Sequence, residues 1–216
     1  MRHELKYLIS VPSAAILKSM LRACMTPDGH YKKGSYTVRS LYFDDLYAGA
    51  FFDKLDGGSE REKFRLRLYN SDDGFIVFEK KIKKNDMTDK ISETVSRSDA
   101  EKILSGHAEG GGNVSREFSS KKELRPAIVI EYLRTAFTYP AQHTRITVDE
   151  RLRFSDAGNF FEKKPPSIYV PNDGKVILEV KFDDVFPDFL SPILGSVPSE
   201  RISVSKYAIC REIQFN

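Results

Sequence analysis

The chain has 216 residues, of which 40% are hydrophobic and 30% are charged, so it can bury a core and we expect one domain over residues 1–216. Its 34 basic and 31 acidic residues leave a formal net charge of +3, which argues against a general attraction to nucleic acid or membranes. Cys24 and Cys210 lie far apart and the four histidines are scattered, so neither a zinc site nor a disulfide framework is predicted. No apolar run reaches the length of a signal-peptide core or a membrane span, and we expect a soluble, cytoplasmic protein.

Most of the chain is predicted to form strands, because β-branched and aromatic residues alternate with polar ones over runs bounded by turn-forming residues. In chain order, the predicted strands lie near residues 2–11, 36–44, 62–69, 75–84, 88–97, 126–139, 143–155 and 175–184. The sequence Asn-Ser-Asp-Asp-Gly at 70–74 predicts a hairpin turn in which Gly74 can take a positive φ. Many strands in meander order favour an antiparallel α+β fold over a repeat of βαβ units.

Helices are predicted in the gaps between these strands. The first begins at Pro12 or Ser13, and the second has Ser98 and Glu101 as a capping box and ends at Gly106. Shorter helical patterns cover residues 47–55, 189–194 and 207–213. The glycine-rich stretch at 110–112 is predicted to be a surface loop, because no GK[ST] motif follows it as in a phosphate-binding loop.

Charged residues share one face in several predicted strands, because side chains alternate across a strand. The opposite faces of the same strands carry aliphatic and aromatic residues, as with Phe64, Leu66 and Leu68. The charged faces hold Glu4 and Lys6; Arg65 and Arg67; Glu79, Lys81 and Lys83; Arg145, Thr147, Asp149, Arg151 and Arg153; and Glu179, Lys181 and Asp183.

Two interpretations of this pattern remain open. An antiparallel sheet that buries one face and hydrates the other produces the same alternation. Arginines at i and i+2, with carboxylates on the same faces, favour instead a closed sheet whose charged face lines a channel for phosphate groups and a divalent cation. Helices would then cover the apolar exterior of that sheet.

Eight strings of residues, read in order, resemble the VTC-type polyphosphate polymerase domain of the triphosphate tunnel metalloenzyme (CYTH-like) superfamily. They are RHELKYLI (2–9), VRSLYFDD (38–45), FRLRLY (64–69), FEKKIK (78–83), IEYLRTAF (130–137), RITVDERLRF (145–154), LEVKFDD (178–184) and SKYAICRE (205–212). The resemblance covers nearly the whole chain. It implies a closed or nearly closed eight-stranded antiparallel β tunnel with a charged lumen, flanked by helices. It also implies ATP as phosphoryl donor, Mn²⁺ or Mg²⁺ as cofactor and inorganic polyphosphate as the growing product.

The resemblance also implies roles for individual residues. The catalytic residues would be Arg65, Arg67, Lys81 and Lys181. The substrate-binding residues would be Lys6, Arg134, Arg145, Arg151 and Lys206. The principal metal ligand would be Glu179, with Glu4 and Glu79 as further ligands or water-mediated partners.

One position departs from the pattern of the wider superfamily. Arg2 stands where the ExExK signature has its first acid, which fits the polymerase branch and argues against adenylate cyclase and thiamine-triphosphatase members. The charge pattern does not decide the acceptor, so an inorganic or nucleoside triphosphatase and a non-catalytic polyphosphate-binding module remain alternatives. We expect phosphate or pyrophosphate as further small-molecule partners, no nucleic-acid partner and no direct membrane span.

Overall fold

The computed structural model describes residues 2–28, 34–55, 60–84, 87–107, 112–203 and 205–216. The chain divides into two compact units, each built from three separate segments. Unit 1 comprises residues 1–36, 132–152 and 171–204, and unit 2 comprises residues 37–131, 153–170 and 205–216. The expectation of one domain over 1–216 stays a prediction, and most of the loop predicted at 110–112 lies outside the described residues.

Unit 1 contains a strongly paired set of antiparallel strands. Its elements are β1 (His3–Ser10), α1 (Val11–Cys24), β2 (Thr26–Pro27), the second half of β7 (Arg125–Tyr139), most of β8 (Thr144–Ser155), β10 (Lys175–Phe182), α5 (Leu190–Gly195) and β11 (Ser199–Arg201). The strand order is β11-β1-β10-β8. This order places β1 and β8 on either side of β10, so the polar residues of all three strands meet on one face.

The core of unit 1 lies between the apolar face of these strands and α1. Leu17 and Leu21 of the helix are fully buried with Ile146, Val148 and Leu178 of the sheet. The helix begins where the Ser10 side chain accepts a hydrogen bond from the Ser13 backbone N–H. The apolar residues of α1 recur at helical spacing, which turns one face of the helix towards the sheet.

Unit 2 is organised around a longer antiparallel meander. Its elements are β3 (Tyr36–Asp44), α2 (Gly49–Leu55), β4 (Glu60–Tyr69), β5 (Asp72–Lys84), β6 (Met87–Val95), α3 (Arg97–Leu104), α4 (Asn113–Ser119), the first half of β7, the end of β8, β9 (Ile168–Tyr169) and α6 (Lys206–Phe215). The strand order is β3-β4-β5-β6, and β9 pairs with the end of β8.

The core of unit 2 follows the same plan. Phe64 and Phe78 of adjacent strands pack against Ile103 of α3 and against Val114 and Phe118 of α4. Helices therefore cover the apolar face of the strands in each unit, and the charged faces are turned away from those helices. This agrees with the predicted arrangement in which helices cover the apolar side of the sheet.

The predicted antiparallel α+β class is confirmed, and every one of the eight predicted strands is present. The described residues add three short strands, β2, β9 and β11, which makes eleven rather than eight. Within these residues β11 pairs only with β1, and β6 pairs only with β5, so a closed eight-stranded sheet is not observed. No helix in the described part of the chain is long and apolar enough to cross a membrane.

Three local predictions differ from the structure. The cap of α3 is Ser96, whose side chain accepts from the Asp99 backbone N–H, and not Ser98. In the hairpin turn, Asn70 and Ser71 take the positive φ values of 54° and 57°, while Gly74 lies within β5. Helix α4 was not predicted, because a seven-residue helix spans too few turns to establish a periodic pattern.

Candidate functional site

The charged faces of the strands carry buried side chains. Arg67, Glu79, Arg134, Asp149 and Glu179 are each at most 7% exposed. A solvated sheet face would leave such residues accessible, since isolated charges are costly to bury and occur there only when paired. The simple interpretation of one dry and one hydrated face is therefore wrong for these residues.

The first charged cluster lies in unit 1 and consists of Glu4, Lys6, Arg134, Asp149, Glu179 and Lys181. Strand register forms it, because β1 and β10 pair antiparallel with Glu4 opposite Lys181 and Lys6 opposite Glu179. Lys181 Nζ lies 3.2 Å from Glu179 Oε1 and 3.8 Å from Glu4 Oε2, and Lys6 Nζ lies 3.0 Å from Glu4 Oε1. Bases and acids thus alternate across the two strands.

Arg134 is anchored in this cluster by a bidentate ion pair. Its Nε and Nη2 donate to the two carboxylate oxygens of Asp149 at 2.7 Å each, and Nη2 also reaches Glu179 Oε2 at 3.4 Å. Burial lowers the pKa of Arg134, but the Asp149 and Glu179 carboxylates raise it well above its usual value. The guanidinium is therefore permanently charged and fixed in plane, which suits recognition of phosphate oxygens.

Thr147 is a member of this face that the charge pattern did not single out as a site residue. It lies opposite Glu179 in the register of β8 and β10, and it is 1% exposed. Its Oγ1 is buried and has no hydrogen-bond partner among the described residues. Because buried hydroxyls are normally satisfied, this oxygen is available to a water or a substrate group. Its position between Arg145 and Asp149 in the alternation was the signal that could have identified it.

Arg145 occupies the other end of the same strand face. Its Nη2 donates to Asp28 Oδ2 at 2.6 Å and to the Tyr36 hydroxyl at 2.9 Å. Its Nε is buried without a hydrogen-bond partner among the described residues. Arg145 also lies opposite Lys181 in the strand register, which extends the row of bases along the first charged cluster.

The predicted metal ligands Glu4 and Glu179 lie together in the first charged cluster. Glu4 and Glu179 both contact the Lys181 ammonium, so their oxygens converge on one small volume. No group of three His, Cys, Asp or Glu residues in the described part of the chain is arranged to hold a metal. Mg²⁺ commonly uses only one or two carboxylates and takes its other ligands from substrate phosphates and water.

The second charged cluster lies in unit 2 and consists of Tyr42, Arg65, Arg67, Glu79 and Lys90. Its members come from four consecutive strands of the meander, and Arg65 lies opposite both Tyr42 and Glu79 in the strand register. Arg65 Nε donates to Glu79 Oε2 at 2.6 Å, and its Nη1 donates to the Tyr42 hydroxyl at 3.1 Å. A single carboxylate therefore orients most of the cluster.

Glu79 is surrounded by cations. Its Oε2 also lies 3.4 Å from Arg67 Nη1, and its Oε1 accepts from Lys90 Nζ at 2.7 Å. Burial raises the pKa of Glu79, but Arg65, Arg67 and Lys90 together lower it far below its usual range. Both carboxylate oxygens are engaged by cations, as are those of Glu4 and Glu179, so Glu79 holds the arginines in place and its role as a metal ligand stays a prediction.

Tyr42 is a second residue whose role was not predicted. Burial raises the pKa of its hydroxyl, but Arg65, Arg67 and Lys206 lower it below its usual value. Lys206, the first residue of α6, is thereby placed near the second charged cluster. Tyr42 shares a face with Ser40, whose Oγ accepts from Arg67 Nε at 3.0 Å, so the alternation in β3 was the available signal.

Lys81 belongs to a row of lysines across three strands. It lies opposite Lys63 of β4 and opposite Lys90 of β6 in the strand register. Like charges opposite each other repel across a sheet, and the Lys90 ammonium is compensated here by Glu79. The Lys63 ammonium also lies 4.0 Å from the centre of the Tyr207 ring, which partly offsets the repulsion.

Arg151 is placed away from the other predicted site residues of β8. Its φ of 55° interrupts the strand alternation that would have put it on the face of Asp149. It lines a cavity together with Lys18 and Glu150, on the side of the strands that α1 covers. The predicted grouping of Arg151 with Arg145 and Asp149 on one face is therefore not observed.

Residues 1–215 of the chain match the VTC domain family. A candidate adenylyl cyclase from Hippeastrum with a dominant triphosphatase activity is a solved structure of similar fold, with a TM-score of 0.61 and 12% identity over 98% of this chain and 96% of that chain. A candidate adenylate cyclase from Bacillus halodurans gives a TM-score of 0.57 and 17% identity over 93% and 94%. A protein from Pyrococcus horikoshii gives 0.53 and 15% over 99% of both chains. No curated protein sequence matches significantly.

Proposed function

Because the chain belongs to the VTC domain family, we propose that it is a metal-dependent phosphotransferase that adds the γ-phosphate of ATP to a growing inorganic polyphosphate chain. The observation that supports this most is the burial of two charged clusters in which guanidinium groups are held by carboxylates. The closed eight-stranded tunnel that the family resemblance implies stays a prediction.

Phosphoryl transfer requires positioning and charge stabilisation more than a protein nucleophile. In the proposed reaction, a terminal oxygen of the acceptor phosphate attacks the γ-phosphorus of ATP. The bond from that phosphorus to the bridging oxygen breaks, and ADP leaves with the electron pair. The chain's own contribution is to hold donor and acceptor in line and to neutralise the charge on the transferred group.

In the second charged cluster, Arg65, Arg67 and Lys81 are assigned to the transferred phosphoryl group. Glu79 fixes the two guanidinium groups before substrate binds, so little reorganisation is needed during the reaction. Lys206 is assigned to the same phosphate chain, because its charge helps to lower the pKa of the Tyr42 hydroxyl and it is the first residue of α6, next to Tyr207, whose ring packs against Tyr42.

In the first charged cluster, Lys181, Lys6, Arg134 and Arg145 are assigned to phosphate oxygens. Glu179, with Glu4, is assigned to a bound Mn²⁺ or Mg²⁺, which would supply further charge neutralisation when present. Thr147 lies opposite Glu179 in the strand register, and its Oγ1 is assigned to a ligand held there. These assignments leave Arg151 out, because it lies on the other side of its strand.

Hydrolysis is the second candidate function. The same residues would serve if water replaced the acceptor phosphate, and a solved structure of similar fold from Hippeastrum is described as a triphosphatase. A non-catalytic polyphosphate-binding module is the third.

One experiment separates these functions. The purified chain is incubated with ATP and Mn²⁺, with and without a short polyphosphate primer, and long-chain polyphosphate and free phosphate are measured together. Metal-dependent polymer is the expected result. Free phosphate without polymer would replace the polymerase by a triphosphatase. Bound polyphosphate without ATP turnover would reduce the function to binding.

A further inference from the structure

A cavity of about 280 Å³ lies in unit 1 between α1 and the strands. Its charged and polar lining consists of Lys18, Arg22, Ser35, Thr135, Glu150 and Arg151. Thr135 and Glu150 directly follow Arg134 and Asp149 in their strands, so they point to the opposite face from the first charged cluster. The cavity is therefore separate from the residues assigned to the proposed reaction.

The charges around this cavity are unbalanced. Among the described residues, three basic side chains and one acid line it, and the acid, Glu150, pairs with Lys18 at 2.8 Å. Arg22 and Arg151 are both exposed, and neither makes an ion pair with a described residue. Lys18 and Arg22 are four residues apart on one face of α1, where like charges repel. An anion in the cavity would relieve this repulsion.

The backbone at Arg151 gives an independent indication. Arg151 has a φ of 55°, a conformation that costs free energy for a residue with a side chain. The consequence is that Arg151 joins Glu150 at the cavity instead of continuing the alternation of β8. Such conformations cluster at ligand sites, where the strain is offset by the contacts that it permits.

We propose that this cavity binds a compact phosphate-containing anion, of the size of a di- or triphosphate, at a site distinct from the phosphate-binding residues of the reaction. Its volume lies just under the range of about 300–1,000 Å³ that is typical for small-molecule sites, which suits such an anion. Two arginines supply forked donors for its oxygens, and the hydroxyls of Ser35 and Thr135 add neutral polar groups to the lining. The site stands on these residues alone and does not depend on the proposed function.

Isothermal titration calorimetry of the whole chain with inorganic tripolyphosphate tests the proposal. The wild-type chain is expected to show two classes of site, and the variant R22Q/R151Q should lose one of them. Circular dichroism and thermal unfolding check that the variant is folded. The variant K102Q/K175Q, which removes two exposed charges elsewhere, is the matched control and should keep both classes. Unchanged binding in R22Q/R151Q would overturn the proposal.

A gain of affinity provides a second test that misfolding cannot imitate. Glu150→Gln removes the acid found among the described lining residues and frees Lys18, so tripolyphosphate should bind this class severalfold more tightly. An unchanged or weaker affinity in Glu150→Gln would contradict the anion site.

Two further titrations identify the source of the anion. Occupation of this class by orthophosphate would point to free phosphate, and occupation only by tripolyphosphate and longer chains would point to polyphosphate. Absence of ATP turnover with this class intact would refute the proposed function and leave the cavity site standing. Normal ATP turnover together with unchanged tripolyphosphate binding in R22Q/R151Q would refute the cavity site and leave the proposed function standing.

Discussion

The two charged clusters are built from the same residue types but in different proportions. In the first, three carboxylates, Glu4, Asp149 and Glu179, face the bases of β1, β7 and β10. In the second, Glu79 alone faces three cations. Acids and bases therefore balance in the first cluster, whereas the second has an excess of positive charge. The ratio of acids to bases therefore distinguishes the two clusters, whereas the alternation of side chains along the strands does not.

The largest expected effect tests the excess of charge in the second cluster. Arg67→Ala should lower the turnover of ATP by roughly a thousandfold, because it removes a preorganised donor from the transferred group. Glu79 keeps Arg65 and Lys90 as partners, so the fold should persist. Steady-state kinetics measure the turnover and circular dichroism measures the fold, and Arg97→Ala, at a half-buried arginine outside both clusters, is the control. A wild-type rate in Arg67→Ala would remove this residue from the mechanism.

Replacing one carboxylate in each cluster by glutamine tests whether the clusters differ in their role. Glu179→Gln should lower activity by about a hundredfold and raise the Mn²⁺ concentration needed for half-maximal rate, because a metal ligand is lost. Glu79→Gln should leave the Mn²⁺ response of the remaining activity unchanged but lower the free energy of unfolding by about 3–5 kcal/mol, because buried cations lose their partner. Metal titrations and urea unfolding of both variants test this. The same change in Mn²⁺ response in both variants would abolish the distinction.

The pH dependence of stability sharpens the description of Glu79. Its pKa is depressed in the folded chain, so its ion pairs contribute stability above the unfolded value of about 4.3 and lose it as the pH falls below that value. Below about pH 4, wild type should lose about 1.4 kcal/mol per pH unit more than Glu79→Gln. Urea unfolding between pH 7 and pH 3 measures the two curves. Parallel curves would show that Glu79 is not ionised in the way its contacts require.

The smallest effect concerns the buried hydroxyl of the first cluster. Thr147→Val should raise the free energy of unfolding by about 1 kcal/mol, because an unsatisfied polar group is replaced by a methyl group of similar shape. The same change should weaken binding of ATP, if the hydroxyl contacts substrate as proposed. Thermal unfolding measures the change in stability, and calorimetric titration measures the change in ATP binding. Thr147→Ser, which keeps the hydroxyl, should bind ATP like wild type.

The strand predictions succeeded because residues at i and i+2 share a face whatever the surroundings. That rule alone is enough to place Phe64 and Leu66 on the core side of β4 and to group Arg65 with Arg67 on the other side. It failed at Arg151, where one residue with positive φ reversed the expected face. Local alternation cannot anticipate such a residue, since no Gly or Asn marks the position.

The sequence by itself determined the antiparallel α+β class, the eight long strands and the faces on which most charges lie, because these follow from local periodicity. The tertiary structure decided which charges meet. Glu4 and Lys181 are far apart in the sequence, and only the register of β1 and β10 brings them together. It also decided that Glu79 holds arginines and that Thr147 and Tyr42 belong to the clusters, because burial and cross-strand partners are properties of neighbouring strands and not of any single one.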